Sequence, residues 1–316
     1  MSDIEARATA PADSALGGPL SGGDSQPAGT VQRSQWRMVV GRFARHRLAV
    51  ASLVVLLLIA AFAFIGPMVW KYGHTIVPNA PSSSPPNWEH PFGTTRAGHD
   101  VLGQVMRGTQ QSLKVAMTVA VISTTVGSLW GAIAGLYGGR IDNAMMRIVD
   151  VILVVPLLVL VTAVAGNVRG GTTWWAVALV IAAFGWTGTS RVVRGVVLSL
   201  REQEFIEAAR AMGATNRRII VAHLLPNAAG PIIVAATLAL AVAILAEAAL
   251  SFLGVGIQPP DTSLGLLIES GRTAAFTRPW LFYPPGLMIV LIALTINFIG
   301  DGLRDALDPK QTMVRR

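Results

Sequence analysis

Between two apolar runs the chain carries Glu207-Ala208-Ala209-Arg210-Ala211-Met212-Gly213, followed by His223-Leu224-Leu225-Pro226. These residue types suit a mechanical contact rather than bond-making chemistry. Paired alanines thin one helix face so that it can enter another protein's groove, Glu207 offers a carboxylate to a basic rim, and Gly213 permits a sharp turn after the helix. Pro226 then marks the return to apolar sequence. A second ionisable group, Glu247, sits inside an apolar run as Ala246-Glu247-Ala248. A charge there costs at least ~2 kcal/mol unless it faces protein or water. Two roles follow from that cost: a group that shapes a passage or binds a substrate amine, or a neutral or paired carboxyl that holds two helices together.

Other chemistries find no footing. The histidines His46, His74, His90, His99 and His223 are scattered without the paired spacing of metal ligands, so no metal site is expected and His223 reads as structural. Phosphate binding by a Walker A loop needs a glycine-rich turn ending in Lys-Ser or Lys-Thr, whereas Lys71, Lys114 and Lys310 precede Tyr, Val and Gln. No serine or carboxylate pair has a setting for catalysis, and there is no cysteine to form a disulfide or thiolate site. The chain is not expected to be an enzyme or to bind a cofactor of its own. Its formal charge of +8 falls in short clusters beside apolar runs, not in a basic stripe interleaved with aromatics, which argues against nucleic acid as a partner.

The elements that must position these residues are those of a membrane protein. Of 316 residues, 52% are hydrophobic and 13% charged, far from a soluble average. Six segments approach the length needed to cross lipid, at 48–70, 115–137, 148–168, 172–189, 231–257 and 280–300. Each must be helical, because an isolated strand would leave its amides unpaired in hydrocarbon. The third begins at Asp150 and is interrupted by Pro156. Placing the N-terminus in the cytoplasm puts 18 of the 25 Lys and Arg residues on that side, as the positive-inside rule requires, and the Glu207 segment with them. Residues 1–32 are polar and rich in Ala, Pro, Gly and Ser, and are expected to be disordered. The first apolar run starts at Leu48, too late for a secretory signal. Residues 35–47 mix Trp36, Val39, Val40 and Phe43 with arginines, as in a helix lying at the inner membrane–lipid interface. Prolines at 78, 81, 85, 86 and 91 make 71–110 an external loop.

The Glu207–Pro226 spacing resembles the EAA loop of ABC importer permeases. Phe92-Gly93-Thr94-Thr95-Arg96-Ala97-Gly98-His99-Asp100-Val101-Leu102-Gly103 is similar to a stretch of the C-type permeases for dipeptides and oligopeptides, with Thr95 and His99 where that family usually has an acid and an arginine. Further likenesses are Tyr137-Gly138-Gly139-Arg140-Ile141-Asp142, Met146-Arg147-Ile148-Val149-Asp150 with Pro156, and Arg191, Arg194 and Gly195 leading to Leu200-Arg201-Glu202 and Phe205. Ser251-Phe252-Leu253-Gly254-Val255-Gly256-Ile257-Gln258-Pro259-Pro260 resembles the turn after the fifth helix. Gly300-Asp301-Gly302-Leu303-Arg304-Asp305-Ala306-Leu307-Asp308-Pro309 resembles the C-terminal signature, with Gly302 where an aromatic is common. The likeness covers 35–310.

The resemblance implies an all-α integral membrane protein of the type I ABC importer permease fold with six transmembrane helices. It divides the chain into a tail (1–32), an interfacial segment and first helix (33–70), an external loop (71–110), a five-helix core (111–310) with a coupling loop at 191–227, and a short tail (311–316). It also implies a multi-pass place in the plasma (inner) membrane of a prokaryote with both termini cytoplasmic. Implied partners are a second homologous permease, two ATPase subunits or a fused pair that bind ATP and Mg, and an extracytoplasmic peptide-binding protein. Glu207, Ala208, Ala209, Gly213, His223 and Pro226 would form the ATPase contact, and Glu247 is the translocation-path candidate. Nickel or glutathione as cargo, a self-sufficient secondary transporter and a membrane scaffold are the competing readings.

Overall fold

The computed structural model describes residues 35–75, 77, 81–167 and 173–307. The expectations for tails 1–32 and 311–316, for Pro78, for the ends of the 148–168 and 172–189 segments, and for Asp308-Pro309 lie outside those residues. Among the described residues the secondary structure is helical apart from one isolated bridge between Thr94 and Asp100.

Helix α1 (Gln35–Phe43) is short and carries Arg42 in its last turn. His46 then caps α2 (Arg47–Phe64) by accepting the Ala49 amide at Nδ1, 3.2 Å away. The short α3 (Gly66–Val69) follows. The long irregular stretch beyond it ends at Asp100, whose carboxylate caps α4 (Val101–Tyr137) through the Gly103 amide at 2.8 Å. At 37 residues α4 is about 55 Å long at the helical rise of ~1.5 Å per residue. It therefore begins inside the expected 71–110 loop, and its first turns, with Arg107 and Lys114, extend beyond the ~30 Å of a hydrocarbon core. Sequence reading placed its start near 115 because polar side chains there mask the helical run.

The turn after α4 uses positive φ at Gly138 and Gly139, 63° and 55°. It leads to α5 (Gly139–Val154) and α6 (Leu157–Asn167). These two occupy the expected 148–168 span as separate pieces. Pro156 has no amide to donate and drives Val155 to an extended ψ of 120°, so the helix stops and restarts. Helices long and apolar enough to cross a membrane are thus five among the described residues: Arg47–Val69, Val101–Tyr137, Trp174–Leu200, Ala229–Phe252 and Pro279–Leu307.

The remaining elements are α7 (Trp174–Leu200), α8 (Glu204–Ala211), α9 (Asn216–Arg218), a π-helical stretch (Ile219–Leu224), α10 (Leu225–Asn227), α11 (Ala229–Phe252), α12 (Leu264–Gly271) and α13 (Tyr283–Leu307). Helices α4 and α7 pack along most of their lengths. A Cβ on Gly131 would come within 2.4 Å of the Ser190 carbonyl, and one on Gly127 within 2.6 Å of the Trp186 carbonyl. Small residues spaced four apart let two backbones approach in lipid, where close packing replaces the hydrophobic drive. Residues including Val105, Val119, Ile181, Ile244 and Ile292 form the main core. Large side chains such as Leu57, Leu58, Val242 and Leu287 point outward, as lipid or a neighbouring subunit permits.

Chain alternation and contacts gather α1, the end of α4, the start of α5, the end of α7, α8, the start of α11 and the end of α13 at one end of the bundle. That end is rich in arginine. The 71–100 segment, the start of α4 and α12 lie at the other.

Candidate functional site

Helix α8 projects from the arginine-rich end and is amphipathic over only two turns. Ile206, fully buried, joins a second small core with Ala132, Leu136, Val193, Val197, Ile219, Ile220 and Leu224, and Ala209, 2% exposed, is buried as well. Burying an isoleucine side chain completely contributes about 1.5–3 kcal/mol, so Ile206 is the peg that seats this helix. Glu207, Ala208 and Arg210 point outward. The two alanines expected to enter a partner's groove together are therefore divided, with Ala208 on the free face and Ala209 packed beneath.

The end of α8 is a Schellman turn. Gly213 takes φ 81°, its amide donates to the Arg210 carbonyl at 2.9 Å, and the Ala214 amide donates to the Ala209 carbonyl at 3.0 Å. Half-buried Ala214 rests on the same small core. Thr215 caps the next helix by accepting the Arg218 amide at 3.4 Å. The chain stays helical to Asn227, and the wide π-helical stretch before Pro226 makes room for a ring that a tight α turn would exclude. His223 is half-buried on this stretch, and its carbonyl accepts the Asn227 side-chain amide at 2.6 Å. Pro226 is exposed and immediately precedes the turn into α11.

Ionic contacts unseen in the sequence brace the root of α8. Arg194 on α7 grips Asp142 on α5 in a two-pronged pair, Nε to Oδ1 at 2.5 Å and Nη2 to Oδ2 at 2.6 Å. Arg191 reaches Asp150 at 2.7 Å. Arg201, just before α8, donates to the Gly135 carbonyl at 3.0 Å, where a cation complements the C-terminal end of α4. The sequence shows each of these groups at the edge of an apolar run, but not which acid meets which arginine.

Glu247 lies elsewhere, in the half of α11 nearer the opposite end, and is fully buried. Ser112 donates to its Oε2 and Ser251 to its Oε1, each at 2.7 Å, and Ser263, the cap of α12, lies close by. The Leu264 and Ile257 amides donate in turn to the Ser112 and Ser251 hydroxyls, at 3.4 and 3.3 Å. The carboxyl thus ties α4, α11 and the cap of α12 together. Fully buried, it faces these hydroxyls within the subunit, an arrangement suited to the helix-holding role of the two weighed for it. Among the described residues no cluster of His, Asp or Glu could hold a metal ion.

Residues 127–313 match the family described as binding-protein-dependent transport system inner membrane component. The chain belongs to this family. Residues 34–86 of this inner membrane component also match the N-terminal transmembrane domain of oligopeptide transport permease C. It is 46% identical over 283 residues to the oligopeptide transport system permease protein OppC of Mycobacterium bovis, covering 90% of this chain and 97% of that one. The Bacillus subtilis OppC is 36% identical over 289 residues, 91% of this chain and 94% of that one. Among solved structures, an inward-facing form of the MetNI methionine ABC transporter matches with a TM-score of 0.53 at 22% identity, over 65% of this chain and 96% of that one. A likeness at that identity speaks to the fold alone: this inner membrane component is an all-α, multi-pass permease of the ABC importer type.

Proposed function

We propose that the chain is the membrane-spanning subunit of an ATP-driven importer of oligopeptides or dipeptides, and that α8 is the handle through which a separate ATPase moves it. The observation carrying this reading is α8 itself: a polar two-turn helix, pegged by Ile206, that presents Glu207 and Ala208 at the arginine-rich end. The positive-inside rule puts that end in the cytoplasm, with both termini, where ATP is available. Kinship with oligopeptide permeases along nine-tenths of the chain supports peptides as cargo over nickel or glutathione. The subunit is non-catalytic. It works beside a second permease chain, two ATPase subunits or a fused pair that bind ATP and Mg, and an extracytoplasmic peptide-binding protein.

Force on Glu207 and Ala208 tilts α8 about its peg. The motion passes by Arg201 to the end of α4 and through the continuous helical stretch 216–227 into α11, so a rigid lever reorients the spans. His223 and Pro226 belong to that stretch, and Gly213 fixes the angle between lever and stretch. In the assembled transporter in vesicles, Glu207→Lys brings like charge to a basic rim and lowers ATP-dependent peptide uptake at least about tenfold. Gly213→Pro does the same, because proline holds φ near −65° where the turn needs a positive value. Both variants insert normally in the membrane. Undiminished uptake in either would remove α8 from the coupling role, and uptake driven by an ion gradient without the ATPase would favour a secondary transporter.

A further inference from the structure

At the end opposite α8, the 71–100 segment, the 259–262 turn and the α12–α13 region enclose a cavity of about 790 Å³, within the ~300–1,000 Å³ of ordinary small-ligand sites. Its lining includes the apolar Val101, Leu267, Leu281 and Pro285. Its lining also carries Arg96 and Arg278 and a single carboxylate residue, Asp261. That carboxylate is already spent. Arg107 Nε and Nη2 donate to its two oxygens at 2.8 and 3.0 Å, and Gln111 donates to it as well. Neither Arg96 nor Arg278 has a carboxylate partner among the described residues, and Arg278 Nη1 donates only to the neutral Ser83 hydroxyl, at 2.9 Å.

The two arginines are held to the same framework. The Ser83 amide donates to the Thr95 carbonyl at 3.0 Å, next to Arg96, while the Ser83 hydroxyl receives Arg278. Ser83 takes φ 55° to do this, a conformation unusual for a residue with a side chain. Two cations lacking counter-charge in the same lining as these apolar residues call for a ligand with an anionic end and an apolar body.

We propose that this cavity receives the C-terminal end of a peptide, with its terminal carboxylate on Arg96 and Arg278 and its last side chains on the apolar lining residues. Guanidinium groups suit a carboxylate because their planar forks donate in pairs. The volume exceeds what one acidic side chain of a docking protein would fill, which is why the peptide end is the occupant assigned. The inference rests on the peptide-import reading and adds to it a receiving site on the permease, at the ends of α4 and α13 away from α8.

The test uses the purified permease–ATPase complex in nanodiscs without the binding protein, titrated with an apolar tetrapeptide as its free acid and as its C-terminal amide. The free acid should bind about tenfold or more tightly than the amide, since a charge-assisted hydrogen-bonded pair is lost in the amide. Arg96→Gln and Arg278→Gln should each reduce that preference and Arg96→Lys should keep part of it, with basal ATPase activity unchanged as the check on folding. Equal affinity for acid and amide overturns the proposal. So does a preference untouched by either Gln variant, or Gln variants that weaken only association with the binding protein, which would reassign the cavity to docking. Peptide import by the unaltered transporter, measured alongside, separates the two readings: import without acid preference sinks this site alone, and no import of any peptide sinks the function.

Discussion

Glu247 shows how little the neighbours of a buried group in sequence say about the partners it meets in the fold. An acid among alanines and leucines left both a passage and a helix-holding role open, and in the fold Ser112 from α4 and Ser251, one turn along the same helix, donate to it. Glu247→Gln keeps an oxygen and supplies an amide donor to which a serine hydroxyl can turn, so assembly and peptide uptake should stay near wild type. Glu247→Leu orphans buried hydroxyls and should lower stability by about 2–3 kcal/mol, read as earlier thermal unfolding in detergent. A loss of uptake in the Gln variant with normal assembly would restore the passage role. Asp261, toward the same end of the bundle, makes the complementary case. Burial alone would raise its pKa, but hydrogen bonds from Arg107 and the Thr262 amide outweigh that and hold it below the ordinary 3.8. A depressed carboxyl contributes stability that is complete above its unfolded value and disappears as pH falls through the folded one. The difference in melting temperature between the protein and Asp261→Asn should therefore hold steady from neutrality to about pH 4 and shrink only below it; a difference already fading near pH 6 would contradict the pairing.

At the scale of elements, the apolar spans were legible because length and composition alone demand helices in lipid. What composition could not give was where helices begin, break or touch. The start of α4 hides behind Arg107 and Gln111, and the third span divides at Pro156, whose effect on Val155 is local and whose position was visible all along. Small residues recur along α4 at 127, 131 and 135, and the partner, α7, shows why they are needed. Gly131→Leu would force side-chain atoms into the Ser190 backbone and separate the two helices, costing more than about 3 kcal/mol, which should appear as loss of folded protein in size-exclusion profiles. Gly188→Ala, where a Cβ would meet nothing within 4 Å, is the matched control and should be silent. The coupling motif was also half legible. Its residue types and spacing located α8, while the inward turn of Ala209 depends on Ile206 finding a pocket formed by α4, α7 and the π-helical stretch, a tertiary fact beyond local pattern.

Across the whole molecule, the two ends have different characters. One carries a rigid polar lever braced by ion pairs between α5 and α7, and the other a deep-rooted irregular segment around Asp100 and a cavity with arginine in its lining. Between them, Glu247 and the glycine seam make α4 a common backbone against which α7 and α11 are fixed. In the proposed reading a displacement of α8 would be carried by these whole helices. The central claim is that α8 meets a foreign ATPase on the cytoplasmic side. Because the chain has no cysteine, Ala208→Cys places one thiol on the exposed face of α8, in the assembled transporter in right-side-out vesicles. The account predicts that this thiol crosslinks to the ATPase subunit and resists a membrane-impermeant maleimide added outside. Ready labelling from the outside, with no crosslink to the ATPase, would contradict it.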